Sequence, residues 1–353
     1  MARLPLEIIE YIIDHLYGDA ATLGACALIC RALVPSSSVH RFRAVRIDAD
    51  ARGAARLRNL LATSGHLNLL IRILELVQDH SMPLRELFSL PRLQNVVELR
   101  ITGLGLTTEA IDSLRTLDLP SLKRLRVRNC QVLQFRHLRS ILSFFPSINT
   151  LAIQDNLIWP RSGFPSSPST LHTLDLSHDI HTLRVVLSSM PTLVCNNMLC
   201  AYGPAGLRHL DMAVNWLALT RWHRDPQISL AVCSKLQTFT LRCVIDSQCR
   251  PGNPHLFKVC ELLAQLVTSS LTTITLFFHV STSHDKPRRS VQWVQLRALD
   301  WRSIEARLSE PKFAGVSKFI ANGKGSELPW QAFLDNKFPE LNGRELLIDW
   351  DLQ

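Results

Sequence analysis

Apolar residues recur along most of the chain in short alternating runs, each separated from the next by a longer connecting segment. One run reads L-x-x-L-x-V-x-x-C from Leu122 to Cys130, and 26 residues later another reads I-x-x-L-x-I-x-x-N from Ile148 to Asn156. Successive side chains of a strand point to opposite faces, so the apolar positions should face inward and the residues between them outward. The segment between these two runs has helical spacing over residues 135–145. The pattern therefore predicts repeated units of one strand and one returning segment.

The same spacing occurs throughout the chain from residue 48 onwards and is that of a leucine-rich repeat. The last Asn or Cys of a copy is expected to satisfy backbone groups where the chain turns away. We predict an α/β fold, with an irregular leucine-rich-repeat solenoid over residues 48–353, parallel strands on its concave face and a C-terminal cap. Strands are predicted near residues 72–76, 97–101, 123–127, 149–153, 172–176, 208–212, 237–241 and 272–276.

Residues 1–47 have a different pattern and predict a separate helical module. Helical spacing relates the apolar residues between Leu6 and Leu16, and Pro5 suits the first turn of that helix. Asp19 is placed to cap a second helix. We expect Pro35 and the three serines after it to end this helical segment, and residues 42–47 alternate as a short strand would.

Composition and charge restrict the class of protein. Apolar residues make up 46% of the chain, which excludes a disordered protein, and the formal charge of +9 comes mainly from arginine. Nine cysteines, an odd number without a C-x-x-C pair, do not suggest a disulfide framework. Charged residues interrupt the N-terminal apolar positions, and the longest uncharged stretch contains prolines and asparagines. We expect an intracellular protein, cytoplasmic or nuclear, without a signal peptide or membrane helix.

The sequence offers no motif for covalent chemistry. The sequence has neither a G-x-S-x-G nucleophile elbow nor a G-x-x-x-x-G-K-[ST] phosphate loop. His178 and His181 are spaced to share a helical face, but no Cys or carboxylate stands at a supporting metal-binding spacing. The sequence therefore predicts a protein that is not an enzyme and has no catalytic residues, metal or cofactor.

The outward positions of two neighbouring strands are rich in arginine. Arg100 lies on one of these strands, and Arg124, Arg126 and Arg128 lie on the next. These four arginines are the predicted substrate-binding residues, and a solvated surface is the alternative interpretation. Glu98 is placed to pair with Arg100 or Arg124. Phosphate contacts to nucleic acid are disfavoured, because such surfaces commonly include stacking aromatics and the outward positions have almost none before Phe277.

The N-terminal module carries a characteristic spacing of residues, which reads Leu4-Pro5-Leu6-Glu7-Ile8-Ile9, Ile12-Ile13-Asp14-His15-Leu16, Thr22-Leu23, Cys26-Ala27-Leu28-Ile29-Cys30-Arg31 and Phe42. In this spacing the module resembles an F-box, and the whole chain is similar to the F-box proteins with degenerate leucine-rich repeats that are abundant in fungi. The resemblance implies docking to the Skp-type adaptor of a cullin-RING ubiquitin ligase through Leu4, Pro5, Leu6, Ile9, Ile12 and Leu28. The chain would then recruit a protein substrate to the ligase, and the four arginines predict an acidic or phosphorylated segment in that substrate.

Two positions depart from that family's pattern. Leu33 stands where a Trp is usual, and Arg41 stands where a Leu usually precedes the Phe. These departures leave two alternatives open for the module and the chain. The alternative for the module is a helical hairpin that caps the solenoid. The alternative for the chain is a basic leucine-rich-repeat scaffold or a nucleic-acid-binding protein, in either case without ligase docking.

Overall fold

The computed structural model is a mixed α/β structure with N-terminal helices and parallel strands. The chain divides into two compact units, Met1–Ile148 and Asn149–Gln353. The predicted boundary after residue 47 was drawn from sequence pattern and stays a prediction. The structure describes residues 5–48, 51–77, 90–132, 135–154, 180–186, 192–215, 228–246, 257–267, 269–281, 301–324 and 345–347.

The first unit begins with three helices, α1 (Leu6–His15), α2 (Ala20–Ile29) and α3 (Val34–Arg43). The helix α2 starts as predicted, because the Asp19 carboxylate accepts hydrogen bonds from the backbone N–H groups of Ala21 and Thr22. The prediction that Pro35 ends a helical segment is wrong. Pro35 lies in the first turn of α3, where a backbone N–H has no helical acceptor and its absence costs nothing.

Parallel strands follow the helices in the first unit. The strands β1, β2, β3 and β5 pair in that order, and the short β4 and β6 pair separately. Leu74, Leu99 and Leu125 occupy the same register on adjacent strands, and all three are fully buried. The elements are β1 (Ala44–Asp48), α4 (Ala51–Thr63), β2 (Ile73–Val77), β3 (Glu98–Thr102), β4 (Gly105–Leu106), α5 (Thr108–Arg115), β5 (Arg124–Arg128), β6 (Gln131–Val132) and α6 (Phe135–Phe144).

The strands β3 and β5 end in the same kind of turn. Gly103 follows β3 with a φ of 73°, and Asn129 follows β5 with a φ of 51°, in the left-handed region that Gly and Asn tolerate best. The buried Cys130 then directs its thiol towards the carbonyl oxygens of Ile101 and Arg128, at 3.5 and 3.2 Å. The expected role of this cysteine at the turn is confirmed.

The second unit contains seven described strands, which are parallel and pair in sequence order from β7 to β13. The strands predicted near 149–153, 208–212, 237–241 and 272–276 are confirmed, each beginning one residue later. The elements are β7 (Thr150–Gln154), β8 (Thr182–Val186), α7 (Thr192–Tyr202), β9 (His209–Asn215), β10 (Thr238–Asp246), α8 (Phe257–Gln265), β11 (Thr273–Ser281), α9 (Trp301–Leu308), β12 (Lys318–Lys324) and β13 (Glu345–Leu347).

The strand β8 was not predicted. The segment predicted in its place, near 172–176, lies outside the described residues. The strand that pairs with both β7 and β9 is Thr182–Val186. It carries the same repeat spacing, because Ile180, Leu183 and Val185 are all fully buried. The signal was therefore in the sequence, but the leucine-rich match ten residues earlier competed with it.

Buried cysteines provide a direct check of these interior positions. Burial raises the pKa of Cys130 and of Cys243 to about 12, whereas Cys30 is exposed. Because the thiolate is the reacting species, iodoacetamide at mildly alkaline pH should alkylate Cys30 in the native protein and reach Cys130 and Cys243 only after denaturation. Peptide mass spectrometry of native and denatured samples measures this difference. Rapid alkylation of Cys243 in the folded protein would contradict its placement.

Candidate functional site

The N-terminal helices have a small interior. Ile13, Leu23 and Leu33 form its buried core, and Ile9 and Leu16 pack against it from α1. A core of this size covers only one side of each helix, so apolar residues on the other sides stay in contact with water.

Exposed apolar side chains are concentrated in these helices. Of the twelve large apolar residues that are exposed in the described part of the chain, nine lie between residues 6 and 39. A concentration of this kind on a small module usually marks an interface. We call these nine residues the exposed apolar set: Leu6, Ile8, Tyr11, Ile12, Tyr17, Leu28, Ile29, Val34 and Val39.

Polar contacts hold the helices in a defined arrangement despite the small core. The Asp14 carboxylate lies 2.7 Å from Nε2 of His40, which connects α1 to α3. The Ser36 hydroxyl donates a hydrogen bond to the Glu10 carboxylate at 3.1 Å, between the same two helices. The exposed apolar set therefore belongs to a folded module, and its exposure does not come from an unpacked helix.

The predicted adaptor-binding residues fall into three groups. Leu4 lies outside the described residues. Pro5, Leu6, Ile12 and Leu28 are exposed, with 89% of Leu28 accessible to solvent. Ile9 is half-buried against the helical core. The helix α1 thus has two apolar faces, one of which packs inward while the other meets water.

The two departures from the family pattern have different surroundings. Leu33, in the position usually held by Trp, is buried in the core with Ile13 and Leu23. Arg41 is exposed, and its guanidinium lies 5.7 Å from the centre of the Phe42 ring. Leu33 therefore fills an interior position, whereas Arg41 adds a positive charge to the surface of α3.

A buried glutamate organises the predicted arginines on the first unit's strands. Only 2% of the Glu98 side chain is exposed, and its carboxylate lies 2.7 Å from Nε of Arg100 and 2.9 Å from Nε of Arg126. Arg124 is more distant, with Nη1 at 3.7 Å. We call these four residues the Glu98 cluster. Arg128, on the same outward face of β5, is exposed.

The charges of the Glu98 cluster do not balance. Three guanidinium groups surround one carboxylate, which leaves a formal charge of +2. Glu98 is almost fully buried, so its charge needs these partners, while the arginines keep between 34% and 48% of their side-chain surface exposed. The arrangement can hold guanidinium groups in place and still present positive charge to an anionic ligand.

A second cluster of the same kind lies on the strands of the second unit. The Asp211 carboxylate on β9 accepts two hydrogen bonds from Nε of Arg242 on β10, at 2.9 and 3.2 Å. Nε of Arg184 on β8 lies 3.2 Å from the same carboxylate. The Arg242 guanidinium also lies 5.4 Å from the centre of the Phe277 ring on β11. We call these four residues the Asp211 cluster.

Arg184 was not among the predicted site residues, because β8 was not among the predicted strands. Once that strand is placed, Arg184 alternates with the buried Leu183 and Val185 and pairs in register with Asp211. The signal that could have predicted Arg184 is the alternation of apolar and other residues from Ile180 to Val185, in which this arginine takes an outward position. Asp211 and Arg242 lie on the adjacent strands β9 and β10, and their contact depends on the pairing of these strands.

His209 occupies the same outward face of β9 as Asp211, two residues before it. Its Nδ1 lies 2.8 Å from the Thr238 hydroxyl. Burial, and then the charges of Arg208 and His181, lower the pKa of His209 below its usual value. The imidazole is therefore neutral near physiological pH, and it adds no positive charge to the Asp211 cluster.

Other features offer less to a functional assignment. A cavity of about 390 Å³ between α8 and α9 is lined by Cys260, Glu261, Arg307 and Glu310, and the last two form an ion pair at 2.6 Å. Within the described ranges, no three His, Cys, Asp or Glu side chains converge as metal ligands would. A search of the same residues for a helix long and apolar enough to cross a membrane found none.

Comparison with known proteins assigns no family to this chain. No protein-family model matches it, and no curated protein matches it. The function is therefore inferred from the residues and from the geometry in which they are placed.

Proposed function

We propose that this protein is a substrate-recognition adaptor of a cullin-RING ubiquitin ligase, docked to the Skp-type adaptor by its N-terminal helices. The observation on which the proposal depends is the exposed apolar set on a folded helical module. The ligase partner supplies the covalent chemistry, so the chain itself needs no catalytic residue. It would act in the cytoplasm or the nucleus.

The docking half of the proposal follows from the two apolar faces of α1. Ile13 belongs to the core, whereas Ile8 and Ile12, one helical turn apart, leave nearly half of their surfaces in water. Burying apolar surface contributes about 25 cal/mol per Å², and a partner that covers the exposed apolar set gains this free energy. The F-box resemblance includes five residues of this set and supports the Skp-type adaptor as that partner; the five are Leu6, Ile8, Ile12, Leu28 and Ile29.

The substrate half of the proposal assigns the strand-bearing part of the chain to a leucine-rich-repeat solenoid. Sequential pairing of parallel strands within each unit, with returning segments between them, supports this architecture. The outward residues of the strands would then line a concave surface suited to an extended protein segment.

Co-purification from cells tests the assignment. The tagged full chain, expressed in a eukaryotic cell, should bring down the Skp-type adaptor and a cullin, identified by mass spectrometry. If neither protein accompanies a folded chain, the chain is a repeat scaffold without ligase docking. Recovery of nucleic acid in place of these proteins would favour the nucleic-acid-binding alternative.

We further propose that the Glu98 cluster, with Arg128, contacts an acidic or phosphorylated segment of the substrate. A guanidinium can donate two parallel hydrogen bonds to a carboxylate or phosphate. Both Arg100 and Arg126 approach Glu98 through Nε, which orients their guanidinium groups before a ligand arrives. Preorganised donors lose less entropy on binding.

Charge reversal at Arg124 should weaken binding of a labelled acidic phosphoserine peptide by about tenfold or more, since a hydrogen bond to a charged group contributes about 1.5–3 kcal/mol. Arg124 suits the test because it is the most exposed arginine of the cluster and the farthest from Glu98. Arg126→Glu should act in the same direction but would also place a carboxylate beside Glu98. Arg302→Glu, at an exposed position of α9, is the matched control. Fluorescence anisotropy at two salt concentrations measures the effect.

The outcome that would contradict this proposal is equal affinity for wild type and an Arg124/Arg126/Arg128 triple alanine variant. It would show that these arginines only solvate the surface.

A further inference from the structure

The Asp211 cluster contains a buried donor without an acceptor. Nε of Arg184 is buried and, in the described part of the chain, has no hydrogen-bond partner, although it lies 3.2 Å from the Asp211 carboxylate. Both carboxylate oxygens of Asp211 already accept hydrogen bonds from Nε of Arg242. A buried N–H without an acceptor is uncommon in folded proteins and calls for an explanation. Asp211 therefore compensates the charge of Arg184 only in part, and an anionic group bound at the terminal nitrogens of Arg184 would complete that compensation.

The neighbouring arginine is fixed on two sides. Asp211 holds Nε of Arg242, and the guanidinium lies 5.4 Å from the centre of the Phe277 ring. A cation near an aromatic ring is attracted by its π system, and this contact restricts the side chain further. Among the described residues, the terminal nitrogens of Arg184 and Arg242 have no hydrogen-bond acceptor. These nitrogens are the donors that a ligand would use.

The charge of the cluster also favours an anion. Two guanidinium groups share one carboxylate, which leaves a formal charge of +1, and the neutral His209 does not change this sum. About two fifths of Arg184 and 36% of Arg242 remain exposed, so a ligand can reach both side chains without a rearrangement of the strands.

We propose that Arg184 and Arg242 form an anion-binding site, which takes a carboxylate or phosphate carried on a side chain of an extended peptide. The site lies on the outward face of β8 to β11, and no sequence prediction included it. The inference rests on the proposed function only in one respect, namely that the peptide would belong to the recruited substrate. The binding itself requires no ligase.

A peptide fits this face better than a nucleic acid. Threonines are frequent among the outward positions around the cluster, where the half-buried ones are Thr182, Thr238, Thr240, Thr273 and Thr275. Nucleic-acid binding depends on neutralising several successive phosphates, which needs a row of cations. A single site of charge +1 among threonines suits one anionic side chain, while the hydroxyl groups can bond with a peptide backbone.

Peptide binding to the full chain tests the site, in a background that removes the Glu98 cluster. The background replaces Glu98, Arg100, Arg124, Arg126 and Arg128 by Gln, which removes the buried carboxylate together with its arginine partners, so that any remaining binding reports on the second unit. The probe is a fluorescein-labelled peptide with one central phosphoserine in a Gly-Ser-Ala sequence. Its affinity is measured by fluorescence anisotropy, in competition with unlabelled peptide at concentrations up to millimolar. Matched peptides carry glutamate or unmodified serine at the central position, and a single-stranded oligonucleotide is the second competitor.

We expect the phosphoserine peptide to bind, the serine peptide to bind less well, and the glutamate peptide to show whether a carboxylate suffices. Adding Arg184→Gln and Arg242→Gln should weaken phosphoserine-peptide binding by about tenfold or more, whereas Arg302→Gln should leave it unchanged. Arg184→Lys keeps the charge but lacks the two-pronged donor, so it should give an intermediate loss.

Three outcomes would overturn the proposal. They are no phosphoserine-dependent binding, equal affinity with and without the two arginines, and stronger competition by the oligonucleotide than by unlabelled peptide. Circular dichroism on each single variant confirms that the fold is intact. Failure here leaves co-purification with the ligase unaffected, and failure of co-purification leaves peptide binding unaffected, so the two proposals are tested separately.

Discussion

Replacing Leu28 by Asp should abolish binding to the Skp-type adaptor while the chain keeps its fold. In the isolated protein 89% of Leu28 is exposed, so a carboxylate there stays in water and disturbs no packing. In the proposed complex the same position meets an apolar partner surface. Burying an unpaired charge costs several kcal/mol, which corresponds to a loss in affinity of at least about a hundredfold. Calorimetric titration of purified variant and purified adaptor measures the loss.

The control for this substitution is Val267→Asp. Val267 is also apolar and 68% exposed, but it lies in the second unit and is not part of the N-terminal helices. It should bind the adaptor as the wild type does. Ile9→Asp is a poorer probe, because Ile9 packs against the helical core and a charge there would also destabilise the module. Wild-type affinity in the Leu28→Asp variant would exclude this residue from the docking surface.

Replacing Leu125 by Ala should lower the free energy of unfolding by about 2–5 kcal/mol, through lost burial and the cavity left behind. Leu125 is fully buried on β5, and it aligns in register with the equally buried Leu99 on β3. Urea denaturation followed by circular dichroism measures the change.

The same substitution at an exposed site gives the comparison. Leu69 is 52% exposed in the first unit, and Leu69→Ala should change stability by no more than about 0.5 kcal/mol, as surface substitutions usually do. If Leu125→Ala were as mild as Leu69→Ala, the inward assignment of the repeat leucines would be wrong.

The strands were largely predictable because alternation fixes which residues face inward. A register error of one residue would move Leu125 and Val127 to the solvent side, so the apolar spacing locates β5 closely. The same rule did not select β8, since two nearby segments satisfy the spacing and sequence alone does not say which one pairs with β7. Pairing depends on the neighbouring strands, which are distant in sequence.

The candidate sites were less predictable than the strands, for two physical reasons. Helical spacing groups Ile9 and Ile12 in one apolar stripe, but α1 is apolar on two sides, and only packing distinguishes the half-buried Ile9 from the exposed Ile12. Alternation placed the arginines of β3 and β5 on one face. It did not show that Glu98 lies almost fully buried among them, because that burial comes from the side chains of adjacent strands.

The central claim is that the N-terminal helices dock to a Skp-type adaptor. The most direct test is to mix the purified full chain with the purified adaptor and measure the complex by size-exclusion chromatography with light scattering. We predict a one-to-one complex at micromolar concentrations, which forms with wild type and with Val267→Asp and is lost with Leu28→Asp. Separate elution of two folded proteins at these concentrations would contradict the claim, and the chain would then be a repeat scaffold without ligase docking.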